Sequence, residues 1–118
     1  AADLDNPANR KFVEDFRKTY NRTPTLYASQ GYDAAMLLDS AVRQTGGKLG
    51  ADALRPALRR ADFKSVRGDF KFNRNQYPIQ NYYLRTITKG ADGKLANKLA
   101  GTLLTQYHDP FAAACQMK

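Results

Sequence analysis

Phe12, Val13, Phe16 and Tyr20 recur at helical spacing behind Asn6-Pro7, a pair suited to a helix N-cap and first helical position. Glu14 stands four residues before Lys18 on the polar face. This pattern predicts a first helix that ends near Asn21, because Thr23 precedes Pro24 and is pushed out of helical geometry. A second, more apolar helix follows, carrying Tyr32, Ala35, Met36, Leu38, Ala41 and Val42 and stopping at Gly46-Gly47. A third bears Leu54, Leu58 and Ala61, with Asp52 as its expected cap and an irregular first turn at Pro56. From Val66 the period changes to two. Val66, Gly68, Phe70 and Phe72 then share one face of an expected strand, opposite Arg67, Asp69 and Lys71. "NRNQYP" reads as a turn and "QNYYLRTITKG" as a second strand ending at Asp92-Gly93, while Lys94 to Tyr107 fits strand or helix equally.

Composition changes this picture little. The 118 residues suit one modest core, and 42% hydrophobic with 25% charged residues is ordinary globular usage. No apolar run reaches the length of a membrane-spanning helix, and the opening "AADLDNPANRK" lacks the apolar middle of a secretory signal, so no export address is visible. The net charge of +8 raises nucleic acid as a partner, but basic residues are interspersed from Arg10 to Lys118, clustering only at Arg55, Arg59 and Arg60. A solvated surface accounts for them. "RGDFKF" at 67–72 resembles the aromatic strand motif of RNA-recognition domains in outline, yet Asp69 stands where a base-stacking aromatic belongs. Cys115 is the sole cysteine, which excludes an internal disulfide and a cysteine metal site.

Candidate chemistry is sparse. His108 is the single histidine, beside Asp109 in a turn-like segment, with no nucleophile in a recognisable motif. No carboxylates are spaced as a pair, and no glycine loop could cradle phosphate, so neither enzyme activity, metal nor cofactor is expected. "LYASQGYDAAMLL" at 26–38 is different. Tyr27 precedes the apolar periodicity at a helix start, where unpaired N–H groups and the positive dipole end face outward. With Ser29 and Gln30 beside it, and Gly31 permitting close approach, the ring makes a wall for a small ligand with an apolar body and a carboxylate.

The order of "NPANRKFVEDFRKTYNRTPTLYASQGYDAAMLLDSAV" and "VRGDFKFNRNQYPIQNYYLRTI" resembles the latter part of type I periplasmic solute-binding proteins of ABC importers. The similarity is to the branched-chain amino-acid group and its relatives that take aromatic acids. It is carried by Asn6-Pro7-Ala8-Asn9, Phe12 and Phe16, the Pro24 to Tyr27 link, Gly31-Tyr32-Asp33-Ala34, and Gly68, Phe70, Phe72 and Asn73. The resemblance implies a partial two-lobed α/β fold, with helices on a mostly parallel sheet and incomplete lobes completed by a homo-oligomer. It implies that residues 1–80 finish the first lobe, 81–89 form an interlobe strand, and 90–118 return to the second lobe. Tyr27 would then cover the apolar part of an amino acid or aromatic carboxylate, with Ser29 and Gln30 as further contacts. The partners implied are that ligand and the importer's membrane permease, and the compartment is the periplasm. There Cys115 would pair with a cysteine upstream, the alternative being a buried free thiol. A small basic nucleic-acid-binding module and a bilobed ligand-sensing receptor domain are the other readings.

Overall fold

The computed structural model describes residues 2–117, which form three helices, three strands and one short 3-10 turn. Helix α1, Pro7–Tyr20, begins as its sequence dictates. The Asn6 side chain accepts the Asn9 N–H at 2.8 Å, proline occupies the first helical position, and Asn21 closes the helix in the left-handed conformation at φ 50°. Helix α2, Leu26–Gln44, starts six residues earlier than the run of apolar positions marks, because Thr25 caps it and accepts the Ala28 N–H at 3.3 Å. Its buried stripe is Ser29, Asp33 and Ala41, spaced in multiples of four, whereas Ala35 and Leu38 of the expected apolar face are exposed. Helix α3, Ala51–Arg60, is capped by Gly50 and not by Asp52, which lies in its first turn, and Pro56 falls inside the helix.

The strand expected from Val66 is much shorter. Only Lys71–Phe72 form β1, since Gly68 adopts φ +103° and the Val66 N–H donates to the Asp33 carboxylate at 2.9 Å, not to a neighbouring strand. Strand β2 spans Pro78–Lys89, and the ambiguous segment is strand β3, Leu95–Tyr107. The tight turn between β1 and β2 is held by the Gln76 N–H on the Asn73 carbonyl and by the Asn73 N–H on the Tyr77 carbonyl. The next turn uses Gly93 at φ +74°.

The sheet has the order β1-β2-β3 with both pairings antiparallel, Phe72 opposite Pro78 and Ile87 opposite Asn97. The mostly parallel sheet expected from the resemblance is therefore not formed within the described residues. Its strands are consecutive and joined by short turns, whereas parallel neighbours need a long crossover.

The core is small. Phe12, Val13 and Val66 are buried together, with Phe16, Ala28 and Tyr32 packed against them, and the Phe12 and Tyr32 rings lie 4.8 Å apart. Tyr32 is thus a core residue. The β2–β3 ribbon projects from the helical part as an arm, leaving Leu84, Ile87, Leu95 and Leu103 exposed. The radius of gyration is 16.6 Å, against the roughly 13–14 Å of a compact chain of this length.

Candidate functional site

The first turns of α2 separate the three expected contact residues by face. Tyr27 and Gln30, three residues apart, project on one side, and both are exposed, Tyr27 by 81%. Ser29 points the other way. It is 1% exposed, and its hydroxyl donates to the Leu26 carbonyl at 2.6 Å, so its polar atom is used within the helix. Thr25 satisfies the Ala28 N–H, leaving the amides of Leu26 and Tyr27 as the ones without an intrahelical acceptor. An aromatic ring and a side-chain amide therefore share one face beside a helix start that carries two N–H groups without intrahelical acceptors, open on its far side. Such a surface can cover an apolar body and accept a carboxylate, but it is one wall.

Behind that wall lies a polar network that the sequence reading passes over. Asp33, one helical turn past Ser29, is 3% exposed. Its Oδ1 accepts the Val66 N–H at 2.9 Å, and its Oδ2 accepts the Ser65 hydroxyl at 2.6 Å and the Arg67 Nε–H at 3.0 Å. Arg67 continues to Gln80, donating from Nη1 at 2.9 Å, and its guanidinium lies 5.2 Å from the Phe70 ring centre. The sequence signal was an acid among the buried positions of an otherwise apolar helix, a placement that requires a partner. On the other flank Asp3 accepts Arg85 Nη2 at 2.5 Å and the Leu99 N–H at 2.6 Å. Burial pushes the Asp3 carboxyl up, but the Leu99 amide and the Arg85 guanidinium outweigh it and hold the group below its usual 3.8.

Two grooves lie elsewhere. One, of about 510 Å³, is lined by Leu37, Leu54, Leu58, Phe72 and Met117 among others, and the second runs along α1 past Arg10, Val13 and Arg17. Tyr27 lines neither. His108 is exposed, and among the described residues no cluster of histidine, cysteine or acids could hold a metal. Cys115 is a free, half-buried thiol. Phe70 packs between Phe63 and Phe72, at 5.3 and 5.1 Å, so the aromatics of "RGDFKF" are engaged with one another.

A three-helix unit whose capped second helix presents an aromatic ring, followed by a strand leading away from it, matches a known class. The chain belongs to the periplasmic binding protein family, whose model matches residues 1–94. It is 35% identical over 101 residues to the Leu/Ile/Val-binding protein homolog 6 of Brucella abortus (strain 2308), an alignment covering 83% of this chain and 26% of that protein. Among solved structures it is similar to an ABC transporter solute-binding protein from R. palustris in complex with benzoate. That match has 37% identity and a TM-score of 0.83, covering 98% of this chain and 31% of the other. A second, from Rhodopseudomonas palustris BisB5 in complex with 3,4-dihydroxybenzoic acid, has 30% identity and a TM-score of 0.79, covering 92% and 30%. The chain thus spans about a quarter to a third of the length of these relatives. Family membership gives the α/β elements their place in a periplasmic binding protein fold.

Proposed function

We propose that this chain is part of the extracytoplasmic solute-binding component of an ABC importer, and that it helps to enclose an amino acid or a small aromatic carboxylate between two lobes. The observation that carries this reading is the Tyr27 ring, 81% exposed at the capped start of α2 with Gln30 on the same face. A large apolar ring held in water by a well-formed helix start is suited to covering a ligand's apolar body once a second wall closes over it. Ser29 supports the wall from behind by fixing the first turn. The structures bound to benzoate and to 3,4-dihydroxybenzoic acid favour a ligand with a ring and a carboxylate, and the Leu/Ile/Val-binding relative favours an aliphatic amino acid.

On this reading residues 1–80 complete one lobe, 81–89 cross between lobes, and 90–118 join the second. The chemistry is capture and release, with no bond broken. The partners are the ligand, the importer's membrane permease in the periplasm, and, for the isolated chain, a second copy covering Leu84, Ile87, Leu95 and Leu103. Light scattering on a sizing column that found only the 13.2 kDa species would exclude that last partner.

The function is tested by transplanting the chain in place of the matching 31% of the benzoate-binding R. palustris protein. Calorimetric titration of the folded chimera with benzoate and with L-leucine should give saturable binding of at least one. A folded chimera that takes up neither overturns the proposal.

A further inference from the structure

The helical part and the β2–β3 arm have no extensive packing between them among the described residues. They are joined by the two-residue pairing of β1 with β2 and by a few side-chain contacts, two of them anchored on carboxylates of the helical side, Asp33 through Arg67 and Asp3 directly. Asp33, buried in α2, grips Arg67, and Arg67 grips Gln80, the third residue of β2. The guanidinium is held from three directions, by the Asp33 carboxylate, the Gln80 amide oxygen and the Phe70 ring, so its plane is fixed. Asp3, four residues before α1, grips the arm further along, taking the Arg85 guanidinium from β2 and the Leu99 N–H from β3. Arg85 is itself tied across the ribbon, donating from Nη2 to the Asn97 carbonyl at 3.0 Å.

Two bodies joined at one short hinge take the angle that their bridging contacts impose. Here the lever is long. Thirteen residues of β3 at about 3.3 Å each extend about 40 Å, so a turn of 5–10° at the base carries the tip by about 4–7 Å. Charge-assisted hydrogen bonds from a planar fork are directional enough to resist such a turn, unlike loose apolar contact.

We propose that Asp33, acting through Arg67 and Gln80, and Asp3, acting through Arg85 and Leu99, are positioning residues that set the angle between the Tyr27-bearing helix α2 and the β2–β3 arm. The assignment rests on the reading that Tyr27 borders the ligand and that 81–89 cross between lobes; the struts then determine where the opposite wall stands relative to the ring. They act in parallel, one at the base of the arm through Gln80 and one partway along it through Arg85 and Leu99, so removing one leaves the other to bear on the angle.

Residual dipolar couplings of the 118-residue chain test this without ligand. In the unsubstituted chain the amides of α1 and α2 and those of Tyr82–Thr88 and Lys98–Leu104 should fit one alignment tensor. In the double variant Asp3→Ala/Gln80→Ala, which touches neither the apolar core nor Tyr27, each part should still fit its own tensor, while the joint fit fails or returns a different angle. Gln80→Glu, which keeps an acceptor for Arg67, should retain the original angle. A double variant that fits a single tensor at the unsubstituted angle overturns the proposal. Ligand binding by the chimera is read separately, so failure of the struts and failure of the Tyr27 wall are distinguishable.

Discussion

Arg67 donates its Nε–H to the Asp33 carboxylate at 3.0 Å from thirty-four residues further along the chain. This pair, with Ser65 and Val66 on the same carboxylate, pins the loop after α3 against α2. Removing the acid would leave an arginine that is 22% exposed without its counter-charge, and a buried hydroxyl and amide without an acceptor. Asp33→Ala should therefore cost about 3–5 kcal/mol, a large fraction of a small domain's stability. Asp33→Asn, which keeps the shape and one acceptor oxygen, should cost less. Urea unfolding of the two variants checks the order, and a loss below about 1 kcal/mol for the alanine would mean the network contributes little.

Asn6 has two tasks. It caps α1 through the Asn9 amide and donates from Nδ2 to the Val66 carbonyl at 3.1 Å, tying the helix start to the backbone of a fully buried core residue. Asn6→Ala should lower stability by about 1–2 kcal/mol. Asn6→Ser, which can cap but cannot reach as a donor in the same way, should recover part of it. Thermal unfolding of the pair separates cap from tether.

Tyr27 supplies the opposite case. With most of the ring in water, Tyr27→Ala should change the stability of this chain by no more than about 0.5 kcal/mol. In the benzoate-binding chimera the same change should weaken binding about tenfold, equivalent to about 1.4 kcal/mol. Tyr27→Phe should stay near the parent, since the proposed contact uses the ring face. Equal affinity of the alanine variant and its parent would remove Tyr27 from the site.

Asp3 fixes the sign of an acid dependence. Its carboxyl is held below 3.8, so the charged form is favoured in the folded state, and the stability it contributes is fully present above the unfolded value. That contribution disappears only as pH falls through the lowered folded value. Unfolding midpoints should therefore show no Asp3 contribution to any change between pH 5 and 8. Below pH 3.8 the parent should lose stability relative to Asp3→Asn, and curves that stay parallel down to pH 2 would contradict the assignment.

The helices were legible because their signals are local. Asn6-Pro7, Thr23-Pro24 and Gly46-Gly47 act within a turn of themselves, and the structure puts helix ends at or beside each. Thr25 was missed as a cap because the apolar pattern that draws attention begins later, at Tyr32. The strand from Val66 was misread for a tertiary reason: the alternation is present, but Asp33 claims the Val66 amide and Gly68 turns the chain. Periodicity cannot register a hydrogen bond made across thirty-three residues. Lys94 to Tyr107 was ambiguous because its exposed leucines belong to a face with nothing on it here, so neither period is enforced. Of the site, the aromatic at the helix start was visible. The inward turn of Ser29 was not, since a serine in a first turn reads the same whether it faces solvent or the Leu26 carbonyl.

Strand β3 runs along the rim of the sheet with no strand on its outer side among the described residues. Between Leu95 and Tyr107 it contains no proline, and Lys98 is its only charge. Natural rims are usually guarded against self-templated stacking by several charges or a proline. Lys98 is thus the lone gatekeeper of this rim, and neutralising it would turn a solubility margin into a seed for fibrillar growth.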